Sequence, residues 1–132
     1  MTDRRGAWLD IDLDAIRHNI ALIRSVVGDA AVAQVVKAEA YGHGMIPVSK
    51  AIEPVVDALC VATLDEALEL RPHVSKRIIM LYPVPHAAVP EALEIDVELP
   101  VMSAADFEAI QNAVPEGHAP VRIHLGVETG MG

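Results

Sequence analysis

Val35-Val36-Lys37-Ala38-Glu39-Ala40-Tyr41-Gly42-His43-Gly44 places one lysine at the end of an apolar run and directly before a glycine-bearing turn. Residues 31–36 read as a buried strand, so the amine emerges at a strand's carboxyl end. A lysine there is either a snorkelling surface group or, when partly desolvated, a nucleophile suited to Schiff-base chemistry. In parallel βα architectures functional groups gather at such ends, where loops vary without disturbing the core.

Outward from this stretch, apolar β-rich runs near 31–37, 57–62, 77–82, 95–101 and 121–127 alternate with helical patterns. That alternation predicts repeated βα units and a parallel sheet. A closed (β/α)₈ barrel takes about 250 residues, so a chain of 132 predicts an α/β fold of about five parallel strands with intervening helices, a partial barrel. An open sheet has two free edges and an uncovered face, which predicts association or a doubly wound rearrangement. Leu13, Ile16, Ile20, Ile23 and Val27 recur at helical spacing between a capping Asp12 and Gly28, predicting a first helix with one apolar stripe. Thr63 and Glu66 have capping-box spacing, with Pro72 ending the helix they open. Ser103 and Asp106 form a weaker version, and a short helix is expected near Pro90. The acidic residues Asp65, Glu66 and Glu69 read as a solvated face.

With 52% hydrophobic residues the chain can bury one modest core. A formal net charge of -9 argues against nucleic acid or anionic membrane as partner. A lone cysteine, Cys60, reads as a buried small hydrophobe and fits a reducing, cytoplasmic setting, and neither a signal peptide nor a membrane span is apparent. The six histidines lack metal-ligand spacing, and no Walker or dinucleotide fingerprint occurs.

The lysine stretch strongly resembles the pyridoxal-phosphate motif V-V-K-A-N/D-A-Y-G-H-G of the alanine racemase family. Three further stretches resemble that family in the same order: Trp8-Leu9-Asp10-Ile11-Asp12-Leu13-Asp14-Ala15-Ile16-Arg17-His18-Asn19, Val61-Ala62-Thr63-Leu64-Asp65-Glu66-Ala67-Leu68-Glu69-Leu70-Arg71, and Glu128-Thr129-Gly130-Met131-Gly132, which is similar to D-T-G-M-G-R. The match stops at Gly132, where the family has an arginine, so the chain is expected to be the N-terminal part of a longer protein and inactive by itself. The resemblance implies residues 12–132 as an incomplete N-terminal barrel that binds pyridoxal phosphate, and residues 1–11 as a strand belonging to a missing C-terminal β domain.

It also implies the chemistry. Lys37 would carry pyridoxal phosphate as a Schiff base and move a proton on one face of the substrate Cα, in a homodimeric enzyme that interconverts L- and D-alanine for cell-wall precursors. The alternatives are a racemase of the same fold acting on serine or another amino acid, and a non-catalytic half-barrel interaction module. Tyr41 resembles the family's donor to the cofactor phosphate, with simple packing as its alternative. Val35 and Leu81 resemble apolar wall positions beside the cofactor, although core packing explains them equally well. The family's opposite-face base is a tyrosine of the partner subunit's second domain, and Tyr82 is not that residue. Gly42 and Gly44 permit a tight turn, which His43 braces.

Two residues depart from the family pattern. Glu39 replaces Asn or Asp and could pair with Lys37 as an ion pair. Gly126 stands where many members carry a carbamylated lysine that orients the arginine, so either the arginine would be held otherwise, by Glu128 or a bound anion, or the chain is a divergent member with altered specificity. His124, on the same run, reads as a satisfied core histidine.

Overall fold

A computed structural model of the chain describes residues 6–130. Met131 and Gly132 of the last matched motif lie outside the described residues, as do the first five of the 1–11 segment.

Five strands, β1 (Ala33–Val35), β2 (Ala58–Val61), β3 (Arg77–Met80), β4 (Val97–Val101) and β5 (Ile123–Leu125), form one sheet in the order β1-β2-β3-β4-β5. Every neighbouring pair is parallel. Units added in chain order with the usual right-handed crossover place their helices on one face. The winding is therefore that of a barrel. The doubly wound rearrangement does not occur, because it requires the chain to restart from a middle strand and turn back.

The strands are shorter than the apolar runs that announce them, for local reasons. At β1 the Val32 amide is drawn off by the Asp57 carboxylate at 2.7 Å, and one residue after β1 the chain leaves the extended region. At β4 the backbone enters from Asp96, whose φ is 49°.

The helices are α1 (Leu13–Val27), the turn α2 (Lys37–Gly42), α3 (Met45–Ile52), α4 (Leu64–Leu70), α5 (Val89–Glu94) and α6 (Ala104–Ala113). Asp12 caps α1 by accepting the Asp14 and Ala15 amides, and Gly28 ends it at φ 62°. Its stripe is only half used: Ile20 is buried and Leu13 and Ile16 pack on the core, but Ile23 and Val27 are 47% and 40% exposed. Both capping boxes are complete, and the one at Ser103 and Asp106 is as fully formed as that at Thr63 and Glu66. Pro90 sits in the first turn of α5, as its fixed φ favours.

The core lies between the sheet and its helices. Strand alternation and register put Val36, Leu59, Val61, Ile78, Met80, Val97, Leu99 and Val101 on the helix side, all buried. Met45, Ile52, Leu70, Val89 and Ile110 close on them from the helices. Each such burial stabilises by about 1.5–3 kcal/mol.

Residues 7–11, expected to form a strand, pair with no strand here, and Trp8 and Leu9 are exposed. A strand exists through its ladder, and this segment has none among the described residues.

Candidate functional site

Lys37 follows β1 with Val36 between them and is half-buried. Alternation puts Val35 on the face turned away from the helices, and Lys37 reaches from the turn beyond it to the Tyr82 ring. The register carries that face across the sheet through Cys60, Ile79, Leu81, Glu98, Pro100, His124 and Gly126. Lys37 Nζ lies 5.4 Å from the centre of the Tyr82 ring, within reach of a cation–π contact of about 0.5–1 kcal/mol. Nothing in the sequence flagged Tyr82 as a partner, since the contact joins two loops 45 residues apart.

Beyond Lys37 the backbone takes an unusual course. Ala38, Glu39, Ala40 and Tyr41 all lie in the left-handed region, with φ between 50° and 57°. For residues with a Cβ this costs about 1–2 kcal/mol each, and runs of four are rare. Nothing in Ala-Glu-Ala-Tyr prefers that hand, so the surroundings impose it. The Ala40 amide donates to the Val36 carbonyl at 2.9 Å and the Gly44 amide to the Glu39 carbonyl at 2.7 Å. His43 Nδ1 donates to the Ala40 carbonyl at 2.8 Å and so braces the turn. Gly42 and Gly44, at φ 88° and 90°, bring the chain out of it. The Glu39 carboxylate accepts the Met45 amide at 3.0 Å, at the first residue of α3. Glu39 thus caps a helix, and the structure shows no ion pair between it and Lys37.

The first amide of the turn, at Ala38, donates to Glu66 Oε1 at 2.7 Å. Burial raises the Glu66 pKa, but the amides of Ala38, Ala62 and Thr63 and the nearby charge of Lys37 outweigh it and hold the carboxyl below its ordinary value. Glu66 is therefore more than part of a solvated face.

The candidate residues fall into two groups. Val35 and Tyr41 together line a hollow of about 190 Å³ at the β1 edge, with Tyr41 62% exposed. Lys37 leans instead on Tyr82. Leu81 immediately precedes Tyr82 and is fixed by its amide, which donates to the Val61 carbonyl at 2.8 Å.

Deeper on the same face lies a cluster that sequence reading missed. Glu98 of β4 is 3% exposed and accepts from Arg77 Nε at 2.5 Å, Arg77 Nη2 at 2.8 Å and His124 Nε2 at 2.7 Å. Arg77's hydrogen bond chiefly lowers the Glu98 pKa, against burial and with help from His124. His124 is exposed at the edge strand and satisfied by Glu98, so it is no core histidine. Cys60 is buried on β2, where burial and the charge of Glu98 push its thiol up. Glu128 accepts the Gly130 amide in a local turn. Among the described residues no group of three or more His, Cys, Asp or Glu side chains could hold a metal ion.

Comparison with known proteins adds an independent line. The family model described as alanine racemase, N-terminal domain, matches residues 11–132. An alanine racemase of Clostridium kluyveri is 36% identical over 130 residues, covering 97% of this chain and 33% of that protein. The crystal structure of alanine racemase from E. faecalis superposes with a TM-score of 0.85 at 37% identity, covering 92% of this chain and 34% of the other. That of Bacillus anthracis with bound L-Ala-P gives 0.85 at 35% identity, covering 100% and 35%. The chain thus spans about a third of the length of the relatives it matches.

Proposed function

The chain belongs to the alanine racemase N-terminal domain family, and from that premise we propose that it forms the lysine-bearing part of a pyridoxal-phosphate-dependent enzyme interconverting L- and D-alanine. The observation that carries the reading is Lys37 itself: an amine just past the carboxyl end of β1, beside the Tyr82 ring, leading into a left-handed turn held in place by hydrogen bonds. Backbone strain of this kind is maintained by the fold and clusters at functional sites.

The residues present fit the cofactor. Its aldehyde requires an amine, which Lys37 offers beside an aromatic ring. Its ring requires apolar walls, and Val35 and Leu81 share the sheet face turned away from the helices. Its phosphate requires donors, and Tyr41, an exposed side chain near the far end of the turn that Lys37 opens, would offer its hydroxyl. When bound, pyridoxal phosphate supplies a conjugated ring that spreads the negative charge left as Cα loses its proton. Lys37 would hold the cofactor through its amine and would take and return a proton on one face of Cα.

On this reading residues 12–132 belong to the barrel, and the 1–11 segment finds its strand partner in a further β domain. The second proton-transfer group and the remaining phosphate donors come from the rest of a homodimeric, cytoplasmic enzyme serving cell-wall precursor supply. Among the described residues no helix is long and apolar enough to cross a membrane.

The test is selective labelling. With pyridoxal phosphate and borohydride, Lys37 should take the reduced pyridoxyl label well ahead of Lys50 and Lys76, and Lys37→Ala should abolish the preference. Label spread evenly over the lysines would overturn the assignment.

A further inference from the structure

At α4 the Glu66 carboxylate acts as a capping group: Oε2 accepts the Ala62 and Thr63 amides at 2.7 and 3.2 Å, while Thr63 Oγ1 accepts the Glu66 amide at 3.2 Å. That cap leaves Oε1 free to reach beyond the helix. It accepts the Ala38 amide at 2.7 Å, across 28 residues of sequence, and ties the β2-to-α4 turn to the turn after Lys37.

We infer that Glu66 is a positioning residue for Lys37, its carboxylate fixing the left-handed turn and thereby the direction in which the lysine side chain leaves β1. The Ala38 amide lies in the peptide plane that begins at the Lys37 carbonyl, so fixing that N–H fixes ψ of Lys37. Without it, Ala38–Tyr41 would be free to relax toward the right-handed region that alanine prefers, and Nζ would leave Tyr82. A carboxylate is required. Three amides converge on two oxygens, and a glutamine would turn its NH₂ toward at least one of them. The functional meaning of this role rests on the proposed function of Lys37; the structural role does not.

The test compares Glu66→Gln and Glu66→Asp with Thr63→Ala, which weakens the same cap but keeps the bond to Ala38. Without cofactor, amide hydrogen exchange at Ala38 and Ala40 is measured relative to the Leu59 amide of β2. Both Glu66 variants should raise it at least tenfold, Glu66→Asp because it is one methylene too short to span both turns. Thr63→Ala should change it less than twofold. With pyridoxal phosphate and borohydride, the ratio of label on Lys37 to label on Lys50 should fall at least fivefold in the Glu66 variants and hold in Thr63→Ala. Unchanged exchange in the Glu66 variants, or an equal rise in Thr63→Ala, would overturn the inference, whatever the labelling shows. If Glu66→Gln does not fold, Glu66→Asp decides. A wild-type chain that exchanges as expected but labels evenly would sink the function of Lys37 and leave Glu66 as the anchor of the turn.

Discussion

Gly126 lies under Met102. A Cβ built at Gly126 would stand 2.0 Å from Met102 Sδ and 2.8 Å from its Cε, while the nearest backbone atom, the Val101 carbonyl oxygen, is at an ordinary 3.5 Å. The obstruction is thus the end of a flexible, 59% exposed side chain. Gly126→Ala should cost about 1 kcal/mol, the scale of a side chain driven off its rotamer, and Met102→Ala should remove most of that cost. Urea denaturation of the two single variants and the double variant gives the coupling directly; equal costs in both backgrounds would show that Met102 is not the obstacle. The same geometry bears on the departure from the family pattern. Position 126 has no amine to carboxylate, and its space is taken by Met102 sulfur, so melting and Lys37 labelling should not respond to bicarbonate. The glycine was legible in the sequence. Its occupant was not, because Met102 and Gly126 meet only once β4 and β5 pair.

Among the elements, β3, β4 and β5 are clamped together by Glu98, with Arg77 on one side and His124 on the other. Arg122 stands 3.9 Å away, and Asp57 faces Arg77. Because the folded-state pKa of Glu98 is depressed, its stabilisation is present above the ordinary value of 4.5 and is lost as pH falls through the folded value. Glu98→Gln should therefore lower stability at pH 7 by about 2 kcal/mol, less than the ~3–5 of a fully buried pair because Arg77 is 46% exposed. The gap to wild type should close as pH drops below about 4.5. Denaturation curves across that range check this, and a gap independent of pH would exclude the clamp. Sequence pattern disclosed what is local: the βα alternation, the α1 cap at Asp12, and the boxes at Thr63–Glu66 and Ser103–Asp106. It could not disclose the clamp, whose members come from three strands and are neighbours only by register. Nor could it disclose the left-handed turn, since Ala38 and Ala40 are strong right-handed formers overruled by contacts from α3 and α4. Lys37 could be picked out from its place in the pattern, whereas Glu66 and Tyr82 depend on distances the chain closes only when folded.

At the scale of the molecule, the sequential winding gathers the carboxyl ends of all five strands along one rim and sets Lys37 at its β1 end. The helix side of the sheet is filled by the core, and the amine stands at the rim beside Tyr82. Exchanging the hydrogen on Cα between mirror forms needs a proton acceptor on one face and a donor on the other. Under the proposed function Lys37 would supply one of these. Across the sheet face of Val35, Ile79 and Leu81 are apolar, Cys60 is a buried thiol and Glu98 is engaged with Arg77 and His124, which leaves the Tyr82 hydroxyl beside Lys37 as the nearby candidate. Under the proposed function, and with the chain spanning about a third of its relatives' length, the second group would come from outside residues 1–132. The chain by itself should then bind pyridoxal phosphate at Lys37 yet racemise alanine no faster than the free cofactor mixed with an equivalent lysine peptide. Deuterium exchange at Cα with retention of configuration is the most it should achieve, since a single base works from one side. Following L-alanine in D₂O by NMR and by chiral chromatography separates the two outcomes. Formation of D-alanine above the control, lost in Lys37→Ala, would show that this rim already holds a second base, with the Tyr82 hydroxyl the first residue to replace.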